Sequence, residues 1–204
     1  MFSTYDNKCY CGADKKDIVS SLDIELARFF DEYLIWHHSG TAKLCAWVAV
    51  ELDMCSQDRK TLVQASLLHD IGKLFIPHTY LTKRGMLSDE EMASIKNHAL
   101  NGANFLLRNG FSDDIVLATK HHHERFDGKG YPDGLMGYNI PLYSRIISVA
   151  DTLDAMISGR HYHKSKYSRF EIVKALENGT ETQYDPWIVD IAIKYILKKE
   201  RVYV

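Results

Sequence analysis

The chain has 204 residues, of which 46% are hydrophobic and 25% are charged, and this balance suits one folded domain and excludes a disordered chain. The 25 basic and 27 acidic side chains leave a net charge of −2, so the composition gives no support to a surface that binds a DNA or RNA polymer. Ten histidines are an unusually large number for this length. Their positions therefore carry the functional argument.

Export and membrane insertion are both disfavoured by the sequence. The first residues, MFSTYDNKCYCGADKKD, contain no apolar segment, so we expect no secretory signal. No apolar run approaches the roughly 20 residues that a membrane-spanning helix needs. Cys9 and Cys11 form a lone C-x-C without a matching second pair, and Cys45 and Cys55 accompany helical patterns, which favours buried thiols. We therefore expect a reducing, cytoplasmic compartment.

Helical patterns fill the first half of the chain. Apolar residues recur at helical spacing over 20–36 and 37–53, after a lead that the sequence determines poorly. A third pattern covers 58–73, where Gly72 is expected to end the helix. Ser88 and Glu91 then have the spacing of a capping box, which opens a helix toward Arg108.

The second half of the chain is helical on both sides of one long loop. A short helix is predicted over 112–124, with three histidines near its end, and another over 143–158. Between them, residues 125–142 contain four glycines and two prolines, which predicts a structured loop. Ser168 with Glu171 caps a helix that stops near Gly179, and Asp185-Pro186 opens the last one. The pattern as a whole predicts an all-α domain.

Histidines and aspartates recur near the ends of the predicted helices. Successive groups are separated by 31, 28, 24 and 28 residues, about one helix and its connection: His38, His69-Asp70, His98, His122-His123 and Asp151. Each of these residues alone is typical of a core or surface position. Together they suggest imidazole and carboxylate groups around metal ions, because successive helices of a bundle can each deliver a ligand to one point.

Three segments of the sequence resemble the HD-GYP subgroup of the HD-domain phosphohydrolases: HDIGK at 69–73, HHERFDGKGYP at 122–132 and VADTLDA at 149–155. The resemblance extends from His38 to Pro186. That family is bacterial and all-helical, and it hydrolyses the second messenger cyclic di-GMP. The resemblance thus implies a single-domain helical bundle of the HD-domain type, with residues 1–20 as a lead and 21–204 as the catalytic domain.

The same resemblance implies a metal centre and a reaction. It assigns metal ligation to seven residues: His38, His69, Asp70, His98, His122, His123 and Asp151. It implies two metal ions, for which the imidazole-rich ligands favour iron, then manganese, with zinc left open. Asp70 is expected to bridge them, and a metal-bridged hydroxide is expected to open cyclic di-GMP to pGpG, with GMP left open as a further product.

Substrate contacts are implied for six residues. Lys73, four residues after His69, is expected to stabilise charge on a phosphate, and Arg160 resembles a second phosphate contact. Arg145 suits a substrate contact and a structural ion pair equally. The GYP loop (residues 125–142) contributes Gly130, Tyr131 and Pro132, which are expected to recognise the substrate or to dock a signalling protein.

Two positions depart from the family pattern. Leu34 stands where some members carry a glutamate that supports a third metal, so we expect two metals. His163 stands where a lysine or arginine is frequent, which predicts a weaker or pH-dependent grip on phosphate.

Two other classes of function stay open. One is a di-iron oxygenase of the HD fold, although neither Lys73 nor the GYP loop serves dioxygen. The other is a non-catalytic signalling module that binds a nucleotide or a partner. The chain has no evident sensor segment, so either the protein acts alone or a partner supplies the regulatory input, and the helical faces permit a homodimer.

Overall fold

The computed structural model describes residues 32–158 and 167–198, with side chains from residue 39 onward. Within these ranges the chain forms no β-sheet, and the predicted all-α class is confirmed. In chain order the helices are α1 Glu32–Glu51, α2 Ser56–Leu68, α3 His78–Leu81, α4 Asp89–Lys96, α5 His98–Arg108, α6 Asp113–His121, α7 Leu142–Ser158, α8 Arg169–Gly179 and α9 Pro186–Lys198, with 3-10 helices at Ile71–Phe75 and Gly137–Asn139.

The helices pack around one continuous apolar core. Helix α1 lies against α2 and α7, α6 packs between α5, α2 and α7, and α9 closes the bundle against α1, α7 and α8. The largest fully buried apolar side chains come from α2, the first 3-10 helix, α5, α7, α8 and α9: Leu62, Ile71, Leu106, Ile146, Ile147, Leu153, Leu176 and Ile188. Burying such side chains supplies most of the favourable free energy of folding, about 1.5–3 kcal/mol for each.

Helix ends follow local capping chemistry. Both predicted capping boxes form, with the Ser88 and Ser168 hydroxyls accepting from the backbone N–H of Glu91 and Glu171. Helix α8 ends at Gly179 as predicted.

Two predicted helix bounds are wrong. Helix α2 ends at Leu68, before the predicted end at Gly72, because Asp70 leaves the helical region at φ −99°, ψ 8° and a 3-10 helix follows. The helix predicted from Ser88 to Arg108 divides at Asn97 into α4 and α5.

The GYP loop is ordered, and it contacts the bundle at several points. Gly128, Gly134 and Gly137 adopt positive φ, which is accessible to glycine without strain. The loop is fastened to the turn between α8 and α9, since the N–H of Asp127 donates to the carbonyl of Thr182 at 2.7 Å. Its predicted last residue, Leu142, belongs instead to α7.

Several predictions concern residues outside the described ranges. The lead of residues 1–20, Arg160 and His163 are among them, as are the side chains of Leu34 and His38, whose backbone lies in α1.

None of the described helices is both long enough and apolar enough to cross a bilayer.

Candidate metal centre

Four candidate ligands meet where three helices end or begin. Asp70 follows α2, His98 is the first residue of α5, and His122 and His123 follow α6. One ligand atom from each of these residues lies within 4.8 Å of all the others. Asp70, His98 and His122 are almost fully buried, and His123 is half-buried. Residues up to 53 positions apart in the sequence are therefore brought to one point by the helix packing.

Gly72 allows this convergence. A Cβ atom at this position would lie 1.8 Å from the carbonyl oxygen of His98, so any larger residue would push the two backbones apart. The 3-10 helix that carries Gly72 packs directly on the start of α5. Asp70 and His98 can approach each other because position 72 has no side chain.

Three histidines are oriented by backbone carbonyls three residues earlier in the chain. The Nδ1–H groups of His69, His98 and His122 donate to the carbonyl oxygens of Ser66, Ile95 and Thr119 at 2.7, 2.6 and 2.7 Å. A carbonyl oxygen can only accept, so each neutral ring carries its proton on Nδ1. The lone pairs on Nε2 are thereby left for the centre of the cluster, as in metal sites whose ligands are fixed by an outer shell of hydrogen bonds.

The two oxygens of Asp70 face different histidines. Oδ1 lies 3.2 Å from Nε2 of His98 and 3.8 Å from Nε2 of His122. Oδ2 lies 3.4 Å from Nε2 of His69, which is in turn 3.8 Å from a carboxylate oxygen of Asp151 on α7. The two carboxylate oxygens therefore face different groups of donors, with His69 and Asp151 toward Oδ2 and His98 and His122 toward Oδ1.

Burial and repulsion from neighbouring imidazoles disfavour the protonated form of His122 and His123. The pKa of His122 is well below its ordinary value because of its burial and the neighbouring imidazoles, His123 first among them. Burial, with His98 next in importance, lowers the pKa of His123 to about 4. Burial also acts to lower the pKa of His69, but the Asp70 and Asp151 carboxylates outweigh it and raise that pKa.

The donor set fits a divalent metal ion. Nε2 of His98 lies 3.3 Å from Nε2 of His122 and 3.1 Å from Nε2 of His123. The Nε2 lone pairs of His98 and His122 face and repel each other, and a cation between them would convert this repulsion into coordination. Neutral imidazoles with a shared carboxylate are the ligands that zinc, iron and manganese sites use.

Lys73 places a positive charge at the edge of the cluster. Its ammonium lies 2.5 Å from Oδ2 of Asp70 and is about one quarter exposed. Lys73 lies on the 3-10 helix that follows Asp70, four residues after His69. An ammonium that reaches both a buried carboxylate and solvent can contact an incoming anion.

The GYP loop brings Tyr131 to the cluster. The Tyr131 ring stacks on His123, with ring centroids 4.9 Å apart and an interplanar angle of 27°. Lys96 lies 5.5 Å from the centroid of the same ring. Gly130 permits this approach, because a Cβ atom there would lie 2.3 Å from the backbone nitrogen of Arg125. Pro132 follows Tyr131 through a cis peptide bond and is exposed.

Arg145 is placed in the interior of the bundle. Its guanidinium forms an ion pair with Asp185 and donates from Nε to the carbonyl of Ile140 at 2.9 Å. Both side chains of the pair are at most 5% exposed. This placement favours the structural ion pair over a contact with substrate phosphate, because the buried guanidinium already has protein partners.

The sequence did not single out Glu124, which the structure buries beside the cluster. Its Oε1 accepts from the N–H of Asp133 at 2.8 Å, and its Oε2 accepts from the N–H of Leu135 at 3.1 Å. His121 is also buried and its Nδ1 lies 3.5 Å from Oε1 of Glu124. The sequence does contain a signal for this role: Glu124 follows His122-His123 directly and precedes a long loop, whose backbone N–H groups need acceptors where the loop packs on the bundle.

The chain matches a known domain family and proteins that are named as phosphodiesterases. The HD domain family matches residues 20–188. The chain is 36% identical over 157 residues to the cyclic di-GMP phosphodiesterase response regulator RpfG of Xanthomonas campestris. The matched region covers 76% of this chain and 41% of that protein. It is 38% identical over 135 residues to the 3'3'-cGAMP-specific phosphodiesterase 1 of Vibrio cholerae, covering 66% of this chain and 31% of that protein.

A solved structure shares the fold. The cyclic GMP-AMP specific phosphodiesterase V-cGAP3 of Vibrio cholerae superimposes with a TM-score of 0.64 at 16% identity, over 81% of this chain and 44% of that chain. The chain spans less than half the length of each of these three proteins.

Proposed function

This chain belongs to the HD-domain family, and from that premise we propose that residues 21–204 form a metal-dependent phosphodiesterase domain that hydrolyses cyclic di-GMP. The observation that carries the proposal is the convergence of Asp70, His98, His122 and His123, with ligand atoms within 4.8 Å of one another. His69 and Asp151 complete the proposed ligand set on the second oxygen of Asp70. His38, whose side chain is outside the described residues, is proposed by resemblance alone.

The arrangement around Asp70 supports a centre of two cations. Each carboxylate oxygen faces its own group of donors, as a bridging ligand requires. We propose iron as the resident metal and manganese as a substitute, because imidazole dominates the donor set. When bound, two such ions would supply an activated water at neutral pH and would neutralise charge on the phosphate oxygens.

The remaining chemistry falls to residues of this chain. The Lys73 ammonium, beside Asp70, would bind a phosphate oxygen and stabilise the negative charge that grows there during cleavage. Tyr131, Gly130 and Pro132 form the rim on which a base of the substrate would rest, and Arg160 is proposed as a further phosphate contact. The product is proposed to be pGpG, followed by GMP if the linear product is cut again.

The cyclic dinucleotide class is the substrate that the relatives favour. The relatives compared above act, by their names, on cyclic di-GMP or on 3'3'-cGAMP. Neither a di-iron oxygenase nor a non-catalytic module is favoured, because the relatives compared above are named as phosphodiesterases. A signalling protein docked on the GYP loop, a homodimer and a location in the bacterial cytoplasm belong to the same proposal, the last supported by the buried free thiol of Cys45.

The proposal is tested by product analysis with a charge-matched control. The metal-loaded protein is incubated with cyclic di-GMP and, separately, with 3'3'-cGAMP, and linear products are separated by chromatography. Lys73→Met should lower kcat about 10²-fold because it removes one stabilising donor. Lys83→Met removes an exposed lysine paired with Glu91, and it should leave kcat unchanged. Absence of any linear product from either dinucleotide would overturn the proposal.

A further inference from the structure

His123 differs from the other three histidines in what holds its ring. His69, His98 and His122 each donate Nδ1–H to the carbonyl three residues earlier. Among the described residues, no carbonyl accepts from the His123 ring, although its Nε2 lies 3.1 Å from Nε2 of His98. Three rings contact that of His123: His122 with centroids 4.0 Å apart, and His98 and Tyr131 at 4.9 Å each. Of these three, Tyr131 lies outside the proposed ligand set, and its ring is the one that stacks on His123, at 27°.

The segment that contains His123 and Glu124 contacts both Tyr131 and the residue before it. The backbone N–H of Tyr131 donates to the carbonyl of His123 at 3.3 Å. Before it, Gly130 packs so closely on Glu124 that a Cβ atom would lie 2.4 Å from the Cα of Glu124. The loop therefore folds back directly on the two residues that follow His122.

Glu124 also binds the part of the loop that follows Tyr131. Its carboxylate is 2% exposed and accepts from the N–H groups of Asp133 and Leu135, which flank Gly134. Hydrogen bonds to a buried carboxylate are roughly twice as strong as neutral ones, and the buried charge would be left unsatisfied if the loop moved away. The position of Tyr131 is thus tied to a charged group one residue after His123.

We propose that Tyr131, held in place by Glu124, is the positioning residue for His123, so that the GYP loop sets the orientation of this ligand. The inference rests on the proposed metal centre and adds a role for the loop within it. Three histidine ligands are oriented by carbonyls of helices α2, α4 and α6, whereas the ring of the fourth, His123, stacks on a residue of a loop outside the helices. A disturbed loop would therefore weaken the centre without changing any of its ligands.

The test measures metal binding by the complete chain, with Co²⁺ as the probe and its visible absorption as the signal. Tyr131→Leu removes the aromatic face, and the apparent Co²⁺ affinity should fall about 10–100-fold with an altered spectrum, as for other losses of outer-shell support. Tyr131→Phe keeps the ring without the hydroxyl, and its affinity and spectrum should match those of the wild type. Glu124→Gln removes one of two acceptors, so it should weaken Co²⁺ binding in the same direction.

Each outcome separates this inference from the proposed function. Wild-type Co²⁺ binding by a folded Tyr131→Leu protein would overturn the positioning role and leave the metal centre intact. Equal losses in Tyr131→Phe and Tyr131→Leu would also overturn it, because the hydroxyl and not the ring would then be responsible. If circular dichroism shows Tyr131→Leu to be unfolded, unchanged Co²⁺ binding by folded Glu124→Gln overturns the role. A wild-type protein that binds no Co²⁺ would contradict the proposed metal centre itself.

Discussion

The apolar core and most of the histidine cluster are buried, but burial has opposite effects on stability in the two regions. In the core, Leu62, Ile147 and Leu176 are fully buried in one apolar cluster, so their burial stabilises the fold directly. In the cluster, His69 and His122 are at most 1% exposed, yet their neighbours are other titratable groups. Buried polar groups of this kind lower stability unless each finds a partner. The cluster is therefore explained by function, and a metal ion is the partner that its donors fit.

The largest expected effect follows from Asp70→Asn. The amide keeps the size of the side chain but loses the charge that faces both groups of donors. Metal binding and hydrolysis of cyclic di-GMP should fall together, by more than about 100-fold, since loss of outer-shell support alone costs 10–100-fold. Metal analysis and initial rates measure this, with circular dichroism to verify the fold. An active Asp70→Asn protein would remove the distinction between cluster and core.

Arg145→Ala tests a charged pair that belongs structurally to the core. Removing the guanidinium leaves Asp185 buried without its ionic partner, which should lower the free energy of unfolding by about 3–5 kcal/mol. Because Arg145 is buried away from solvent, the KM of the folded protein for cyclic di-GMP should not change. Urea denaturation and steady-state kinetics report the two quantities. A raised KM with unchanged stability would restore Arg145 as a substrate contact.

Leu176→Ala isolates the apolar principle. Leu176 on α8 is fully buried, and truncation should lower the free energy of unfolding by about 2–5 kcal/mol through lost burial and a new cavity. Metal content and kcat per folded molecule should stay at wild-type values. Chemical denaturation gives the first quantity. Metal loss in a folded Leu176→Ala protein would show that core and cluster are coupled.

The smallest expected effect comes from the start of α8. Ser168→Ala removes the hydroxyl that accepts from the N–H of Glu171, which should lower the free energy of unfolding by about 1 kcal/mol. The site is on the surface, so hydrolysis should be unaffected. The midpoint of thermal unfolding measures this change. A Ser168→Ala protein as stable as the wild type would mean that solvent replaces the cap.

What the sequence predicted correctly depends on local or periodic signals. The HD-GYP resemblance is confirmed by the match of the HD domain family and by relatives with cyclic dinucleotide phosphodiesterase names. Capping boxes need only residues three apart, so those at Ser88 and Ser168 were recognisable. Three of the histidines that recur at intervals of about one helix, His98, His122 and His123, lie together with Asp70 in the structure.

What it missed depends on contacts between distant segments. Arg145 had two equal readings because its partner, Asp185, is 40 residues away, and only the packing of α7 near the start of α9 brings them together. Glu124 was passed over because its two hydrogen-bond donors arrive 9 and 11 residues later, when the loop returns. The early end of α2 reflects the backbone of Asp70, which is shaped by the site.

The central claim is that the Asp70 cluster holds the metal ions required for hydrolysis. The direct measurement is an anaerobic titration of chelator-treated protein with Fe²⁺ or Mn²⁺, in which bound metal and the rate of cyclic di-GMP hydrolysis are followed in the same samples. We predict no hydrolysis without metal and a rate that rises with occupancy up to two equivalents per chain. Hydrolysis by metal-free protein, or full metal occupancy without any hydrolysis, would contradict the claim.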